Sequence, residues 1–414
     1  MNVQLLCEQF GIAGRLREAA LRAQERTRDI AYDAQARVTT NVLAAFLEAG
    51  LTESDLASTL GYGYDDPARA KYEALLARIF GAERALARLA FVSGTHAIVT
   101  AIAACVPAGK TLLSITGRPY DTLRNAIADA PNSLVRMGMG YKEIDVLSSP
   151  LEVLRQAQDD TAVAAVFVQR SRGYAPRRSV SIAECEPIFK QIKKQRPDVA
   201  IIVDNCYGEL VEEREPTHIG ADLAIGSLIK NLGGSLAPAG GYVIGRRDLV
   251  ERVAERASAP GLGDRLGSTL GFGRALIHGL FIAPAIVEQC LRGLDFAAAL
   301  FAELGFEVDP NPGEVRTDIV QAIRLGSARK ILAFAKGLQT AMPLNARFRP
   351  EPGPVPGYAE AVVMSSGAFI GGATIELSCD APLRQPFEVY LQGGIVAEHA
   401  ALGALFAARA LAES

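Results

Sequence analysis

Short apolar runs bounded by polar or glycine-containing turns recur through the first 250 residues of the chain. A run of this kind fits a buried strand of an α/β sheet, in which both faces of the strand are covered. Helical periodicity predicts helices at Lys71–Phe80 and Ala97–Cys105. The predicted strands are Ala87–Val92, Thr111–Ile115, Ala162–Val168, Val199–Val203, Ala221–Ile225 and Gly241–Ile244.

The two ends of the chain have a different pattern. Residues 2–50 are dominated by helix formers with mixed charges, which predict one or two helices that form an arm. A long apolar helical stretch runs from Arg274 to about Gly305, and two predicted strands and a helix at Ala328–Ala341 follow it. The predicted units are an N-terminal arm at 1–57, a large domain at 58–285 and a smaller α/β domain at 286–414.

The composition indicates a globular protein without nucleic-acid or membrane partners. Of the 414 residues, 49% are hydrophobic, the formal net charge is −3, and acidic and basic residues are interspersed. No basic patch, polybasic helix or uninterrupted apolar span is present in the sequence. The N-terminus lacks a basic region followed by a long apolar run, so we predict no signal peptide and expect a cytoplasmic protein.

The cysteines and histidines add little candidate chemistry. The six cysteines are scattered without a C-x-x-C motif, which is typical of reduced thiols in a cytosolic protein. Only Cys206 lies inside a candidate site motif. The four histidines form no metal-like cluster with cysteines or carboxylates, so no metal site is predicted.

The strongest candidate chemistry lies where two predicted strands end. Asp204 follows one of them, and Ser227 and Lys230 follow the next. Ligands of parallel sheets bind beyond the carboxyl ends of the strands, so we expect Asp204 and Lys230, 26 residues apart, at the same edge. A lysine amine that forms a Schiff base with an aldehyde, and a carboxylate that keeps a ring nitrogen protonated, suit pyridoxal 5′-phosphate (PLP).

A phosphate site is predicted at the turn Ser93-Gly94-Thr95, between a predicted strand and a predicted helix. Such a turn presents free backbone N–H groups and the positive end of the helix dipole, and glycine lets a phosphate approach the backbone closely. Alone, the turn is weak evidence, because most such turns are simple helix caps. Together with Ser227 and Lys230 it predicts a phosphate-binding cup.

Several motifs together resemble a known enzyme family. Asp204-Asn205-Cys206-Tyr207 precedes Ser227-x-x-Lys230, and the same chain contains GYGYDD, FVSGTHAI, GRPYDTL, VQRSRGY and SLIKNLGGSLAPAGGY. This set resembles the cystathionine/methionine γ-lyase group of fold-type I PLP enzymes. Within that group it is most similar to the methionine γ-lyase-like family often called "aluminium resistance protein". The resemblance extends from about Gly61 to Gly394.

The resemblance implies a fold and a cofactor. The fold-type I architecture has a large domain with a mostly parallel seven-stranded sheet and a smaller C-terminal α/β domain. PLP is expected as a Schiff base on Lys230, with Asp204 at the ring nitrogen and Tyr207 also at the cofactor. Tyr120 is expected to stack on the ring, with His96 as the alternative.

The resemblance also implies shared active sites. In the family, a loop tyrosine of one subunit contacts the phosphate bound by its partner, and either Tyr62 or Tyr64 of GYGYDD matches it. The accompanying arginine is missing from the loop, and Arg69 is the nearest substitute. We therefore expect a homo-oligomer of dimers that share active sites, paired further into a tetramer. The arm is expected to pack on a neighbouring subunit or on its own domain.

Other positions depart from the family pattern. Gln169 or Ser171 stands where the family uses an asparagine to hold the cofactor's phenolic oxygen. The arginine that grips the substrate carboxylate is missing from its usual segment, so Arg384 is the predicted replacement, against an ordinary surface ion pair. Arg170 and Arg172 are further candidates for a substrate carboxylate or a phosphate, against solvated loop arginines.

The activity implied is elimination of a γ-substituent from an amino acid, in which Lys230 moves the α-proton and Tyr120 protonates the leaving group. That group is sulfur, as in methionine or cystathionine, or another heteroatom, as in an oxyguanidine amino acid. A β-lyase or aminotransferase would use the same residues, and a non-catalytic resistance-associated binding protein is a third alternative.

The proline-rich loop Phe348–Gly357 either covers the active site or is a plain connector.

Overall fold

The computed structural model describes residues 1–145, 155 and 160–414. The strands of the first sheet are β1 Arg84–Arg88, β2 Thr111–Ser114, β3 Gly140–Glu143, β4 Val163–Gln169, β5 Ala200–Asp204, β6 Leu223–Ser227 and β7 Gly241–Gly245. They lie in the order β1-β7-β6-β5-β4-β2-β3. Strand β7 is antiparallel to both of its neighbours, and the other adjacent pairs are parallel. The predicted α/β class with a mostly parallel seven-stranded sheet is confirmed.

One predicted strand is largely wrong. The run Ala87–Val92 was expected to be a strand, but β1 ends at Arg88. Phe91 is buried in the turn that follows, whereas Val92 is 81% exposed. The apolar run therefore joined the end of a strand to a buried turn, which periodicity alone does not separate. Strand β3, with the short half-polar sequence GYKE, was not predicted at all.

Helices cover both faces of this sheet and connect it to the rest of the chain. The helices of the described residues are α1 Val3–Gln9, α2 Gly14–Thr27, α3 Asp33–Ala49, α4 Pro67–Ile79, α5 Gly94–Cys105, α6 Asp121–Arg124, α7 Ile182–Gln195, α8 Arg247–Ala257, α9 Gly273–Glu303, α10 Ala328–Gln339 and α11 Ala397–Ala412. Buried residues of α5 and α8 pack on one face of the sheet, and buried residues of α7 pack on the other.

The C-terminal part has its own sheet. Its strands are β8 Glu307–Asp309, β9 Val320–Arg324, β10 Pro352–Gly353, β11 Val362–Ser366, β12 Ser378–Pro382 and β13 Glu388–Gln392. They lie in the order β10-β11-β12-β13-β9-β8, and all adjacent pairs are antiparallel. Helices α9 and α10 pack against it, and α11 packs on these two helices. This is the smaller α/β region that the sequence predicted, although only two of its strands had been assigned.

The arm packs on its own chain. Buried residues of α1, α2 and α3 belong to the same hydrophobic cluster as α9. The Tyr32 hydroxyl donates to Asp295 Oδ2 at 2.6 Å, and Gln35 Nε2 donates to the Val211 carbonyl at 2.8 Å. Of the two expected positions for the arm, the structure describes the one against its own core.

Helix α9 joins the two sheets. It contains 31 residues, and its most apolar 18-residue window has a mean hydropathy of 1.3, which by length and composition alone is enough to cross a membrane. Half of that window is buried inside the protein, and a core helix passes the same test. The predicted boundary between 285 and 286 falls inside α9, and the domain limits remain a prediction.

Candidate active site

A cavity of about 320 Å³ lies at the carboxyl ends of β4, β5 and β6. The last residues of these strands, Gln169, Asp204 and Ser227, all line it. Residues of the second sheet region line the opposite side, including Gly372. The predicted site residues that line the cavity are Ser93, Gly94, Thr95, Tyr120, Asp204, Tyr207, Ser227 and Lys230.

Asp204 ends the central strand of this edge. Its carboxyl Oδ1 accepts the Cys206 backbone N–H at 3.1 Å. Burial raises the pKa of Asp204 to about 6, although this hydrogen bond and the charge of Lys230 lower it. A buried carboxyl with a raised pKa gains from a positive charge placed beside it, because the charge compensates for the lost hydration.

Lys230 follows β6 and points into the same cavity. Its Nζ donates to Thr374 Oγ1 at 2.9 Å and lies 4.1 Å from the centroid of the Tyr207 ring. Burial lowers the pKa of the Lys230 ammonium, but Tyr207 and Cys206 beside it raise that pKa, and the net pKa lies above its usual value. The amine is therefore held between one hydroxyl and one aromatic face.

Tyr207 has an uncommon backbone conformation for a residue with a side chain. Its φ is +72°, in the left-handed region that favours glycine. Two donors hold its carbonyl: the Ile319 N–H at 3.1 Å and Asn231 Nδ2 at 3.0 Å. Non-glycine residues persist in this region only where surrounding contacts compensate, and the two donors to the Tyr207 carbonyl are such contacts.

The residues of the predicted phosphate cup lie at the start of α5. Ser93 caps this 12-residue helix, and its Oγ accepts the His96 N–H at 3.1 Å. A Cβ on Gly94 would lie 3.2 Å from Ser227 Cβ, so the glycine allows the helix end and β6 to approach. The positive end of the helix and Ser227 therefore lie side by side on the cavity wall.

Tyr120 lies beside this cup. Its hydroxyl is 2.7 Å from Thr95 Oγ1, and its backbone N–H donates to Gln169 Oε1 at 2.9 Å. Burial and the nearby Asp204 raise the pKa of Tyr120 well above its usual value. Gln169 Nε2 donates to the Ser171 carbonyl at 2.9 Å, so both ends of this amide position the chain around the site. His96 does not line the cavity.

The three candidate arginines lie outside the cavity. Arg170 is 1% exposed and donates to Asn205 Oδ1 at 2.5 Å and to the Glu212 carboxylate. Arg172 donates to Asp309 at 2.6 Å. Both side chains are buried and have a carboxylate partner, so they are not solvated loop arginines.

Arg384 is also engaged elsewhere. Its Nη1 lies 3.0 Å from Asp121 Oδ2, and its Nη2 donates to the Tyr174 carbonyl at 2.9 Å. The geometry supports the ion-pair alternative rather than a free carboxylate-binding fork. Arg384 nevertheless contacts the cavity wall indirectly. It pairs with Asp121, the neighbour of the lining residue Tyr120, and it donates to the backbone of Tyr174, which lines the cavity.

The loop GYGYDD lies on the surface outside its own chain's cavity. The side chains of Tyr62 and Tyr64 are 70% and 57% exposed, and their ring centroids are 5.9 Å apart. Arg69 is buried and donates to the Gly267 carbonyl at 2.6 Å and to the Tyr64 carbonyl at 3.2 Å. It therefore holds the loop backbone and is not a free substitute for the missing loop arginine.

Sequence reasoning missed residues that the second sheet region contributes. Thr374 at the Lys230 amine and Tyr358 on the cavity wall had no motif to mark them. For the proline-rich loop the sequence did not decide between a cover of the site and a plain connector. Its Val355 lines the cavity, so the loop covers the site. Among residues 1–145, 155 and 160–414, no group of three or more histidine, cysteine or acidic side chains is arranged to hold a metal ion.

The donor set fits PLP. A cavity amine at Lys230, a buried carboxyl at Asp204 and a helix N-terminus at Gly94 facing Ser227 supply one partner each for the aldehyde, the ring nitrogen and the phosphate. Together with the seven-stranded sheet they define a fold-type I enzyme.

Comparison with known proteins agrees with this class. The methionine gamma-lyase family model matches residues 15–412. The uncharacterized protein YnbB of Bacillus subtilis strain 168 is 39% identical over 370 residues, 86% of each chain. Two crystal structures are similar over 98% of each chain. A candidate cystathionine β-lyase involved in aluminium resistance from Clostridium acetobutylicum has a TM-score of 0.94 at 39% identity. A carbon–sulfur lyase involved in aluminium resistance from Clostridium novyi NT has a TM-score of 0.91 at 37% identity.

The chain belongs to the methionine γ-lyase family. The match covers both sheets and the arm from residue 15 onward, so the family assignment includes every residue that lines the cavity. Family and fold together imply a PLP-dependent carbon–sulfur lyase.

Proposed function

We propose that the protein uses PLP to eliminate the γ-substituent of an amino acid, leaving a 2-oxo acid and ammonia. The observation that carries this proposal is the placement of Lys230 Nζ and the Asp204 carboxyl in one cavity beside the helix end at Gly94. The leaving group is a thiol, as from methionine or cystathionine, or another heteroatom group. Family membership supports the elimination chemistry.

The cofactor's groups have matching partners. The turn at Ser93–Thr95 and the Ser227 hydroxyl would hold the phosphate, the Tyr120 ring would cover one face of the pyridine, and Asp204 would keep the ring nitrogen protonated. Bound PLP supplies an aldehyde for the substrate amine and a cationic ring that withdraws electrons from the substrate carbons.

The chain itself moves the protons. Lys230 Nζ takes the proton from the substrate α-carbon, and the contacts with Thr374 and Tyr207 orient it for that transfer. Tyr120 keeps its proton near neutral pH because burial raises its pKa well above the usual value. It is therefore a proton donor for the departing γ-substituent, and the hydrogen bond with Thr95 fixes its hydroxyl.

Cystathionine as a substrate tests which carbon–sulfur bond is broken. With water, γ-elimination gives cysteine, 2-oxobutanoate and ammonia, whereas β-elimination gives homocysteine, pyruvate and ammonia. We expect 2-oxobutanoate from the PLP-loaded protein, and 2-oxobutanoate with methanethiol from methionine. The competing β-lyase function is favoured by the description of the C. acetobutylicum relative. Pyruvate with homocysteine would establish it, and release of no 2-oxo acid from any γ-substituted amino acid would reject the γ-lyase proposal.

We also propose that two copies of the chain share their sites. Val92 lines the cavity yet is 81% exposed, and Leu60, Tyr62 and Tyr64 are exposed in the nearby loop. An apolar rim beside a binding site supports coverage by a second copy. Further pairing into a tetramer is part of the same proposal.

Subunit mixing tests the shared site. Lys230→Ala chains are combined with chains carrying both Tyr62→Phe and Tyr64→Phe, after each parent is shown to be folded and inactive. In a shared-site dimer one site collects both defects and the other is intact, so about a quarter of the wild-type activity returns at equal mixing. No recovery despite demonstrated subunit exchange would mean that each chain builds its own site.

A further inference from the structure

The last three residues of the proline-rich loop and the tyrosine that follows them form a tight turn over the cavity. In the roof turn, Val355–Tyr358, the Tyr358 N–H donates to the Val355 carbonyl at 3.0 Å. Gly357 has a φ of +91°, which the third position of a type II turn requires, and proline precedes it at the favoured second position. The side chains at the two ends of the turn, Val355 and Tyr358, both line the cavity.

The tip of the roof turn rests directly on α6. Thr122 Oγ1 donates to the Pro356 carbonyl at 2.8 Å. A Cβ on Gly357 would lie 2.6 Å from Thr122 Cα and 3.0 Å from its backbone N, so only glycine fits here. The turn is thus seated on the helix that begins immediately after Tyr120.

Arg384 fastens the same region from the side. Its Nη1 contacts Asp121 at 3.0 Å and Glu360 at 3.5 Å, and its Nη2 donates to the Tyr174 carbonyl. One side chain therefore links the start of α6, the second residue after the roof turn and the loop that carries Tyr174. The Arg384 side chain does not line the cavity in this arrangement.

Tyr358 is supported from behind. Its ring centroid lies 5.4 Å from that of Tyr174, which in turn stacks on Tyr390 at 5.4 Å and 26°. The Tyr174 hydroxyl donates to Asp380 Oδ2 at 2.6 Å. Rings fixed in this way resist displacement, so the side of the cavity that Tyr358 forms has a defined position.

We propose that Val355 and Tyr358 form the wall that limits the length of the substrate side chain, and that Arg384 is a positioning residue that holds this wall. The cofactor-binding residues occupy the strand ends on the other side, so the substituent of the substrate is left to face the roof turn. The inference rests on the proposed use of PLP with an amino-acid substrate, but it concerns which side chains fit, whichever bond is broken.

The test uses unreactive straight-chain amino acids, so that it does not depend on elimination. The PLP-loaded protein is titrated with 2-aminobutyrate, norvaline, norleucine and 2-aminoheptanoate, and binding is measured by the change in cofactor absorbance. In the wild type we expect affinity to rise about fourfold for each methylene that fits and then to fall at a limiting length. Tyr358→Ala and Val355→Ala should move that limit to longer chains, whereas the exposed control Val315→Ala should not. An unchanged limit in both cavity variants overturns the proposal.

Arg384→Met separates positioning from carboxylate binding. If Arg384 only holds the wall, the affinity for 2-aminobutyrate changes less than about twofold, and the longer ligands bind relatively better. If it grips the carboxylate, all four ligands lose at least about tenfold together, which overturns its positioning role. In the cofactor-free chain, hydrogen exchange at the Tyr358 amide should accelerate in Arg384→Met and in Gly357→Ala. Unchanged exchange in both would also reject this role. If no amino acid perturbs the wild-type absorbance, the proposed function fails, while the exchange measurement still decides whether Arg384 holds the turn.

Discussion

The two sides of the cavity are built in different ways. The floor, formed by residues 93–95, 204–207 and 227–230, comes from short segments that directly follow strands or begin a helix. The roof, formed by Val355, Tyr358 and Gly372, comes from the second sheet region, which also supplies the Lys230 partner Thr374. Floor residues are placed by the backbone of one sheet, whereas roof residues are held by single contacts between distant segments, such as Thr122 with Pro356.

This contrast separates chemistry from selectivity. Strand ends have little freedom, so a floor built on them holds reacting groups in a fixed relation. Loops vary more readily than strand ends, so the inward-facing roof residues Val355 and Tyr358 are suited to adjusting which side chain fits. Changes in the floor should abolish the reaction, and changes in the roof should redirect it.

The largest effect is expected at Lys230. Lys230→Ala should lose the borohydride-reducible bond to the cofactor and at least about a thousandfold in turnover, because the residue is both the attachment point and the base. Reduction followed by peptide mass spectrometry measures the first, and 2-oxo acid release the second. The exposed control Lys194→Ala should change neither. A reducible adduct that persists in Lys230→Ala would contradict the assignment of the floor.

Arg170 tests whether a motif arginine belongs to the structure or to the substrate. Arg170→Met leaves Glu212 and Asn205 without their buried partner and should lower the free energy of unfolding by about 3 kcal/mol. In Arg178→Met, which breaks an exposed pair with Glu184, the loss should be below about 1 kcal/mol. Chemical denaturation followed by circular dichroism measures both. A raised KM with unchanged stability would instead place Arg170 at the substrate.

Asp204 should show a pH signature in the cofactor-free chain. Burial raises its pKa from 3.8 to about 6, so the folded state holds this proton more tightly than the unfolded state and loses stability as pH rises through that interval. The amide of Asp204→Asn does not titrate, so the variant has no such loss. Its free energy of unfolding relative to wild type should therefore be about 3 kcal/mol more favourable at pH 8 than at pH 3. Denaturation at several pH values measures this gain.

The control for Asp204 has the opposite sign. Arg196 lowers the pKa of the exposed Asp198, so Asp198→Asn should become slightly less stable relative to wild type as pH rises. Asp204→Asn should stabilise the cofactor-free chain at high pH and yet nearly abolish turnover, because a neutral amide does not keep a ring nitrogen protonated. A stability difference that does not vary with pH would show that Asp204 is ionised without cost in the fold.

The smallest effect is expected at Tyr120. Tyr120→Phe keeps the ring on the cavity wall but removes the hydroxyl bonded to Thr95, so turnover should fall about tenfold to a hundredfold while the cofactor stays bound. Steady-state rates and cofactor absorbance measure the two properties. Tyr32→Phe, which removes a hydroxyl far from the cavity that is bonded to Asp295, should leave turnover unchanged. An equal loss in both variants would deny Tyr120 a specific part in proton transfer.

The same contrast explains what could be predicted from the sequence. Asp204 and Lys230 were placed in one cavity because alternating strands and helices bring strand ends together, whatever the loops do. Tyr358 and Thr374 could not be placed, because their positions depend on how the second sheet meets the first, which no local pattern encodes. Arg384 was expected at the substrate because its distance to Asp121 across 263 residues is not visible in the sequence.

Periodicity also has a limit for buried turns and charged groups. Phe91 made a turn look like a strand, since a buried turn and a buried strand are equally apolar. Arg170 and Arg172 looked like ligand-binding residues of a loop, yet their acceptors Glu212 and Asp309 lie far along the chain. The role of a charged loop residue therefore depends on which partners the fold brings to it, and these partners cannot be identified from the motif alone.

Helix α9 has a consequence for synthesis of the protein. Gly293 packs so closely on Ala400 that a Cβ on the glycine would lie 2.5 Å from the alanine methyl, so α9 is covered by the helix at residues 397–412. During translation, α9 leaves the ribosome roughly a hundred residues before that cover is made. The face of α9 that packs on this helix therefore stays uncovered during that interval, although α9 is apolar enough to resemble a membrane segment. This part of the core can close only after nearly the whole chain has been made.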